Sequence, residues 1–288
     1  MNDLPDIQQT EPNIKIPICQ CGVENVEVPF KLQARNGNFN DMIANVSMRT
    51  NLRSSVKGIS MSRLLGTLKG YLKKPLKHIL IYEILKDLKK NLETDEAYIK
   101  FEFRLPMDRK SPKSDNLFPV YHKCRFEGQL VTRVERGAPQ EVFKFFQGVT
   151  VQYASYCPCS AELCNHLQEN GNKGFPHAQR SFANILIEGD GQTYIWLEDL
   201  VEEVEKAVKT LPAPIIKRPD EQEIARIAAE NPIFVEDAVR SISERIDGMK
   251  GVRDWIIKCI HEESIHTSEA IAINYKGING GFDYRYYL

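Results

Sequence analysis

The chain has 288 residues, a formal net charge of -1, 27% charged and 42% hydrophobic residues. That length supports one large domain or two of ordinary size. The balanced charge excludes a global field drawing the protein to nucleic acid or a membrane surface, and no run of about 18 apolar residues is present to span a bilayer. The start, Met1-Asn2-Asp3-Leu4-Pro5-Asp6, lacks the basic and apolar stretches of a signal peptide. Seven cysteines, an odd number spread thinly, argue against a disulfide scaffold and for reduced thiols in a cytoplasm.

Residues 1–18, with Pro5, Pro12 and Pro17, read as an arm with little structure of its own. Strand-like runs follow near 24–34 and 42–53, separated by Asn36-Gly37-Asn38. Residues 60–73 read as a helix, Pro75 breaks it, and 76–92 form an amphipathic helix with Leu76, Ile79, Leu80, Ile84, Leu85, Leu88 and Leu92 at helical spacing. Ala97 to Leu105 alternates polar and apolar residues as a half-buried strand does. A polar loop over 106–116 precedes strands at 118–135 and 140–153, which turn at Arg136-Gly137-Ala138-Pro139.

The cysteine segment and a loop of low apolar content, 165–176, come next. A strand is expected at 181–189, helices at 196–210, 219–230 and 235–247, and strands at 252–262 and 268–276. The Gly-rich tail from Gly277 to Leu288 is expected to be poorly ordered. Each half reads coarsely as strand, strand, helix, helix, strand, strand. This predicts an α+β fold of two similar modules with antiparallel sheets backed by helices. The expected division is an arm at 1–18, a first module at 19–139, a second at 140–276 carrying most candidate site residues, and a tail at 277–288.

Chemistry concentrates in Cys157-Pro158-Cys159-Ser160 and His177-Ala178-Gln179-Arg180-Ser181. Thiolates and a neutral imidazole are ligands for a borderline-soft metal, and a thiolate beside cations is also a nucleophile. If the segment is extended, Cys157 and Cys159 point to one side and share a pocket; the alternative is a pair of inert buried thiols, the role expected of Cys164. Cys19-Gln20-Cys21 repeats the spacing without a matching pair at zinc-ribbon distance. His78, His122, His166 and His261 sit in ordinary contexts. His177 stands directly ahead of a strand, and His266 lies in a turn between two. Lys217-Arg218-Pro219-Asp220-Glu221 opens a helix, where Asp220 complements the helix dipole. Glu236 likewise starts a helix. Lys57, Arg63, Lys217 and Arg218 could meet a polyphosphate or be surface charge; no GxxxxGK[ST] loop is present.

Taken in order, these clusters resemble the type IB GTP cyclohydrolases. The resemblance rests on Pro5-Asp6-Ile7-Gln8, Gly22-Val23-Glu24-Asn25-Val26, Met61-Ser62-Arg63, the Cys157 and His177 segments, and Trp196-Leu197-Glu198-Asp199-Leu200. It continues through Lys217-Arg218-Pro219-Asp220-Glu221, Asn231-Pro232-Ile233-Phe234-Val235-Glu236-Asp237 and Glu263-Ser264-Ile265-His266. The resemblance implies the tunnelling fold, two tandem ββααββ modules per subunit, in a homo-oligomer, a tetramer, with active sites between subunits. It implies hydrolysis of GTP to 7,8-dihydroneopterin triphosphate and formate with a divalent metal (zinc, manganese or iron), at the head of folate or 7-deazaguanine synthesis.

By position, the resemblance gives Cys157, His177, Glu221 and His266 as metal-surrounding residues, with His177 as a proton carrier and Cys159 beside the site. It gives Glu236 as the acceptor for the guanine N–H edge, and Arg63, Lys217 and Arg218 as triphosphate candidates by charge; Arg180 completes the substrate-binding set. The chain departs from the family pattern in a longer stretch between Cys159 and His177, in Ala178 for Asn, and in Ser60 and Ser268 where His is usual. Two alternatives remain open at this point. One is a nitrile reductase of the same fold, whose Lys/Arg-rich NADPH motif is not found here. The other is a catalytically altered purine- or pterin-binding protein.

Overall fold

The structure, a computed structural model, describes residues 6–135 and 137–287; positions 1–5 of the expected arm, Arg136 of the expected turn and the final Leu288 lie outside them. Eight strands are hydrogen-bonded in chain order: β1 (Ile18–Gln33), β2 (Phe39–Leu52), β3 (Glu96–Lys110), β4 (Leu117–Glu135), β5 (Ala138–Tyr156), β6 (Ala178–Gly189), β7 (Val252–Glu263) and β8 (Ala270–Tyr275). Six helices are α1 (Met61–Lys69), α2 (His78–Leu92), α3 (Pro158–Glu169), α4 (Leu197–Val208), α5 (Arg218–Glu230) and α6 (Val235–Asp247). The first half follows the expected ββααββ order. The second differs: α3 lies between its first two strands, and three helices precede its last two. Among the described residues, no helix is long and apolar enough to cross a membrane.

The chain divides into two compact units, residues 1–103 with 125–146, and residues 104–124 with 147–288. The long strands β3, β4 and β5 each contribute a segment to both.

In the first unit, β1, β2 and β3 pair antiparallel. Their alternation buries Phe30, Val46, Met48, Ile99, Phe101 and Phe103. From α2, Leu80, Ile81, Ile84, Leu85 and Leu88 are buried, whereas Ile79 of the expected stripe is 59% exposed. Helix α2 comes down on β4 at Gly128, where an added Cβ would overlap Ile81 and reach 3.0 Å from Leu85 Cδ1. The described part of the arm is pinned rather than free. Gln8 Nε2 donates to the Ile59 carbonyl at 3.1 Å, and the Lys57 and Gly58 N–H groups donate to the Thr10 and Gln8 carbonyls.

In the second unit, β6, β7 and β8 pair antiparallel. Helix α6 packs on β7, β8 and α4 and buries Ala238, Val239, Ile242 and Ile246, while β7 buries Ile256 and Ile257. The tail is ordered by a buried carboxylate. Asp254, fully buried, accepts from the Trp255 and Gly277 N–H groups (both 2.9 Å) and from the Phe282 N–H (2.7 Å). A carboxylate holding three backbone donors converts the Gly-rich stretch, with Gly277 and Gly280 at positive φ, into a folded loop. That overturns the expectation of a loose tail.

Candidate active site

Strand β5 ends at Tyr156, and Cys157 caps α3 with Pro158 in the first turn. Proline suits that position because its missing N–H has no helical partner to lose and its φ is already helical. The segment is therefore not extended. Cys157 is the half-buried cap, and Cys159, in the first turn of the helix, is exposed. Cys164 is buried, as expected.

His177 is drawn to the first turn of α3, where its N–H donates to Ser160 Oγ at 3.3 Å. Its Nδ1 is buried without a hydrogen-bond partner among the described residues. The register of β6 and β7 pairs Gln179 with Glu263 and Arg180 with Glu262. The His177 end of β6 therefore lies beside the turn after β7, where the His266 N–H donates to the Glu263 carbonyl at 3.2 Å and His266 Nε2 lies 3.4 Å from Glu263 Oε2. The Ile233 N–H donates to the Tyr156 carbonyl at 2.9 Å. That bond anchors the approach to α6, and so Glu236, next to the end of β5. Three backbone links thus gather Cys157, His177, the Glu263–His266 turn and the start of α6 at one end of the second unit. Arg180, His266 and Glu236 are exposed there.

Lys217, Arg218 and Glu221 are placed by a different anchor. Asp220, fully buried, accepts from the Lys113 and Ser114 N–H groups (2.8 Å each), the Ser114 hydroxyl (2.5 Å) and the Lys217 N–H (2.9 Å). These donors outweigh the burial that opposes ionisation and hold the carboxyl far below the usual carboxylate range. Asp220 is the hinge pin of this helix start; Lys217, Arg218 and Glu221 project from it, exposed. Arg63, also exposed, belongs to α1 of the first unit. Among the described residues, no three His, Cys, Asp or Glu side chains are grouped to hold a metal ion.

Behind the gathered end lies a buried polar network that no sequence motif announced. His261, 1% exposed, has Nε2 2.9 Å from Tyr153 Oη, and its Nδ1 lies 3.0 Å from Gln179 Nε2 and 3.3 Å from Ser155 Oγ. Ser155 and Ser181 share a 2.7 Å hydroxyl pair. Burial pushes the His261 pKa down to about 4, so the ring is neutral at pH 7. An amide nitrogen only donates; Gln179 Nε2 thus makes Nδ1 the acceptor, and Nε2–H donates to Tyr153. The available signal was the row Trp255, Ile257, Cys259, His261, an apolar strand face that ends in an imidazole. His122 is the other deeply buried histidine, 3% exposed, with its pKa lowered to about 4 by burial first and by Arg109 second.

The fold defines the class. Urate oxidase from Bacillus sp. TB-90 superposes with TM-score 0.51 at 9% identity, covering 90% of this chain and 99% of that one. A uricase from Bacillus fastidious gives 0.51 at 9%, over 89% and 92%. These likenesses speak for architecture alone, and the chain has the tunnelling fold. Residues 4–272 match the family described as type I GTP cyclohydrolase folE2. GTP cyclohydrolase FolE2 from Cereibacter sphaeroides is 32% identical over 279 residues, 95% of this chain and 76% of that protein. Its counterpart from Paracoccus denitrificans is 31% identical, over 95% and 84%. The chain belongs to the FolE2 family of GTP cyclohydrolases.

Proposed function

We propose that this protein is a metal-dependent GTP cyclohydrolase that converts GTP and water to 7,8-dihydroneopterin triphosphate and formate. The observation that carries the reading is the family match along residues 4–272, together with the gathering of Cys157, His177, the Glu263–His266 turn and the start of α6 at one end of the second unit. A ring-opening hydrolysis needs an activated water, an anchor for the base and cations for the triphosphate. Residues of each type are present.

Cys157, His177, Glu221 and His266 would hold a divalent metal. The mixed S, N and O donor set fits zinc, iron or manganese, and the orphaned Nδ1 of His177 marks a ring not yet fully engaged. Such an ion supplies hydroxide near neutral pH by lowering the pKa of bound water. Glu236, at the exposed start of α6, would accept two hydrogen bonds from the guanine N–H edge; a carboxylate facing two donors is a strong pairing. Arg180, Lys217, Arg218 and Arg63 would meet the triphosphate, and Cys159 stands at the exposed rim. The site would be completed between subunits of a homo-oligomer, a tetramer, and the product would feed folate or 7-deazaguanine synthesis.

The test is turnover of GTP by metal-stripped protein with zinc, manganese or iron restored, read as neopterin fluorescence after oxidation and dephosphorylation. Metal-dependent signal is expected, with Cys157→Ala and Glu236→Ala each losing on the order of a thousandfold, about 4 kcal/mol of barrier. A folded oligomer that binds GTP but gives no fluorescence with any of the three metals would reject the reading.

A further inference from the structure

Lys217 and Arg218 stand where the chain has no regular frame of its own. Between the end of α4 at Val208 and the start of α5 at Arg218 there is neither helix nor strand. Three ties from the end of β3 and the loop after it hold this connection. Arg109 Nη1 donates to the Pro212 carbonyl at 3.1 Å, and Ser111 Oγ donates to the Ile215 carbonyl at 2.6 Å. The third tie is Asp220. Its Oδ1 accepts from the Lys113 and Ser114 N–H groups, and its Oδ2 accepts from the Ser114 hydroxyl and the Lys217 N–H. The loop is also closed on itself: the Ser111 N–H donates to the Asn116 carbonyl at 2.9 Å, and Asn116 Nδ2 donates to Ser114 Oγ at 2.6 Å. All of these residues belong to the second unit.

The other basic residues of this region already have carboxylate partners. Arg109 pairs with Glu205, Lys110 lies 2.8 Å from Asp115, Lys113 lies 3.6 Å from Glu223, and Arg226 reaches Glu223 and Glu230 at 2.8 and 2.6 Å. Lys217 and Arg218 are exposed and have no ion pair among the described residues. Their backbone, in contrast, is fixed. The loop holds Asp220, and Asp220 holds the N–H of Lys217, the residue next to Arg218. A carboxylate accepting from backbone donors makes strong, short bonds. Two free cations thus stand on a backbone set before any anion arrives, which confines the ordering cost of binding to their side chains.

We propose that Asp220 is a positioning residue for triphosphate recognition: by accepting the Lys217 N–H it holds Lys217 and Arg218 in place for the polyphosphate, and Ser114 of the β3–β4 loop holds Asp220. This rests on the proposed assignment of Lys217 and Arg218 to the triphosphate and adds to it a chain running Ser114, Asp220, Lys217. By charge alone, a carboxylate next to two cations opposes the binding of a polyanion. Positioning and charge therefore predict opposite signs when the charge is removed and the shape is kept.

The experiment uses the full-length protein, stripped of metal so that GTP is bound and not converted, and measures dissociation constants for GTP and for guanosine by calorimetry. Their ratio isolates the triphosphate. Asp220→Asn keeps an oxygen for the Lys113 and Ser114 N–H groups but turns an amide nitrogen, a donor, toward the Lys217 N–H. It should weaken GTP about tenfold, the loss of one charge-assisted contact, and leave guanosine within about twofold. Ser114→Ala removes one hydroxyl and none of the backbone donors. It should shift the ratio in the same direction by about threefold, and it keeps the test available if the Asn variant does not fold. On a background of Lys217→Ala with Arg218→Ala, Asp220→Asn should leave the ratio where it is. An unchanged ratio in either variant, an equal loss for both ligands, or tighter GTP binding in Asp220→Asn would each overturn the proposal. So would a full shift on the background lacking both cations, or a wild type that binds guanosine as well as GTP. A ratio that falls as expected in a protein with no turnover on any metal would remove the cyclohydrolase reading and leave this one standing. Turnover with an unchanged ratio in Asp220→Asn would do the reverse.

Discussion

In the first unit, the buried faces of the sheet carry Phe30, Phe101, Phe103, Phe126 and Phe145, with ring centroids 5.1 Å apart for Phe30–Phe103, 5.4 Å for Phe103–Phe126 and 5.5 Å for Phe126–Phe145. In the second, the face that turns Trp255 toward α6, where its Nε1–H donates to Asp247 at 2.9 Å, continues through Ile257 and Cys259 to His261. There it meets Tyr153, Ser155, Ser181 and Gln179. Both are sheet interiors of similar depth. Phenyl rings contribute by area and by edge-to-face packing. Hydroxyls and an imidazole contribute little net stability once their lost hydration is counted. The second unit accepts the poorer filling at the end where Cys157 and His177 emerge, returns to Ile185, Ile187 and Ile257 farther along the same strands, and buries further polar groups at Gln147, Glu188 and Asp254. At the end where Cys157 and His177 emerge, the polar filling is a connected network of side chains.

The largest test removes a ring. Phe126 is 1% exposed and touches both Phe103 and Phe145, so Phe126→Ala should cost about 3–5 kcal/mol, read as a lowered denaturant midpoint. A loss under about 1 kcal/mol would mean the aromatic stack is not what holds the first unit.

Next is acid. His122 and His261 stay neutral in the fold until about pH 4, whereas a histidine in the unfolded chain takes its proton near pH 6.5. Between those values the unfolded state binds more protons, so stability falls as pH falls, by up to about 3 kcal/mol per histidine. Above about pH 7 neither contributes to the slope. Denaturant titrations from pH 7 to pH 4 should show the fall, and His122→Leu should flatten it by about half. An unchanged slope in His122→Leu would place the acid sensitivity elsewhere.

The tail gives a smaller effect. Asp254→Ala strands three backbone donors from Trp255, Gly277 and Phe282 and should cost about 1–3 kcal/mol, with faster hydrogen exchange confined to 276–287. Exchange in that segment matching wild type would show that the loop folds without its carboxylate.

How much of this was legible in the sequence depended on range. Helix α6 fell where Pro232 and the Val235, Ala238, Val239, Ile242 periodicity put it, because both signals are local. Helix α3 was not expected, and its second half fell in the expected loop at 165–176, since it buries only Cys164 and so has no apolar stripe. Pro158 in its first turn was the local clue. The folded tail depends on Asp254, more than twenty residues upstream, and no pattern within the tail reveals that. At the site, Cys157, His177 and Glu236 were visible as residue types. The Tyr153–His261–Gln179 chain was not, because its members come from three strands and only the register brings them together. Asp220 was legible as a helix-start carboxylate, but its bonds to Lys113 and Ser114 were not.

The finest test asks whether the polar filling contributes at all. Ser155 and Ser181 are both fully buried and bond to each other at 2.7 Å, and Ser155 also reaches His261 Nδ1 at 3.3 Å. Ser181→Ala leaves one hydroxyl with its other partner and should cost about 1 kcal/mol, while Ser155→Ala removes two contacts and should cost somewhat more. The double variant replaces both hydroxyls with methyl groups, and its cost should fall short of the sum by about 0.5–1 kcal/mol, the coupling expected of residues in contact. Additive losses would mean that the two hydroxyls are independent. The second interior would then be polar by tolerance, and the contrast with the phenylalanine stack would lose its functional meaning. Coupling that persists in His261→Asn would confine the cooperativity to the serine pair. Coupling that collapses there would show that the hydroxyls and the imidazole hold one another as one network.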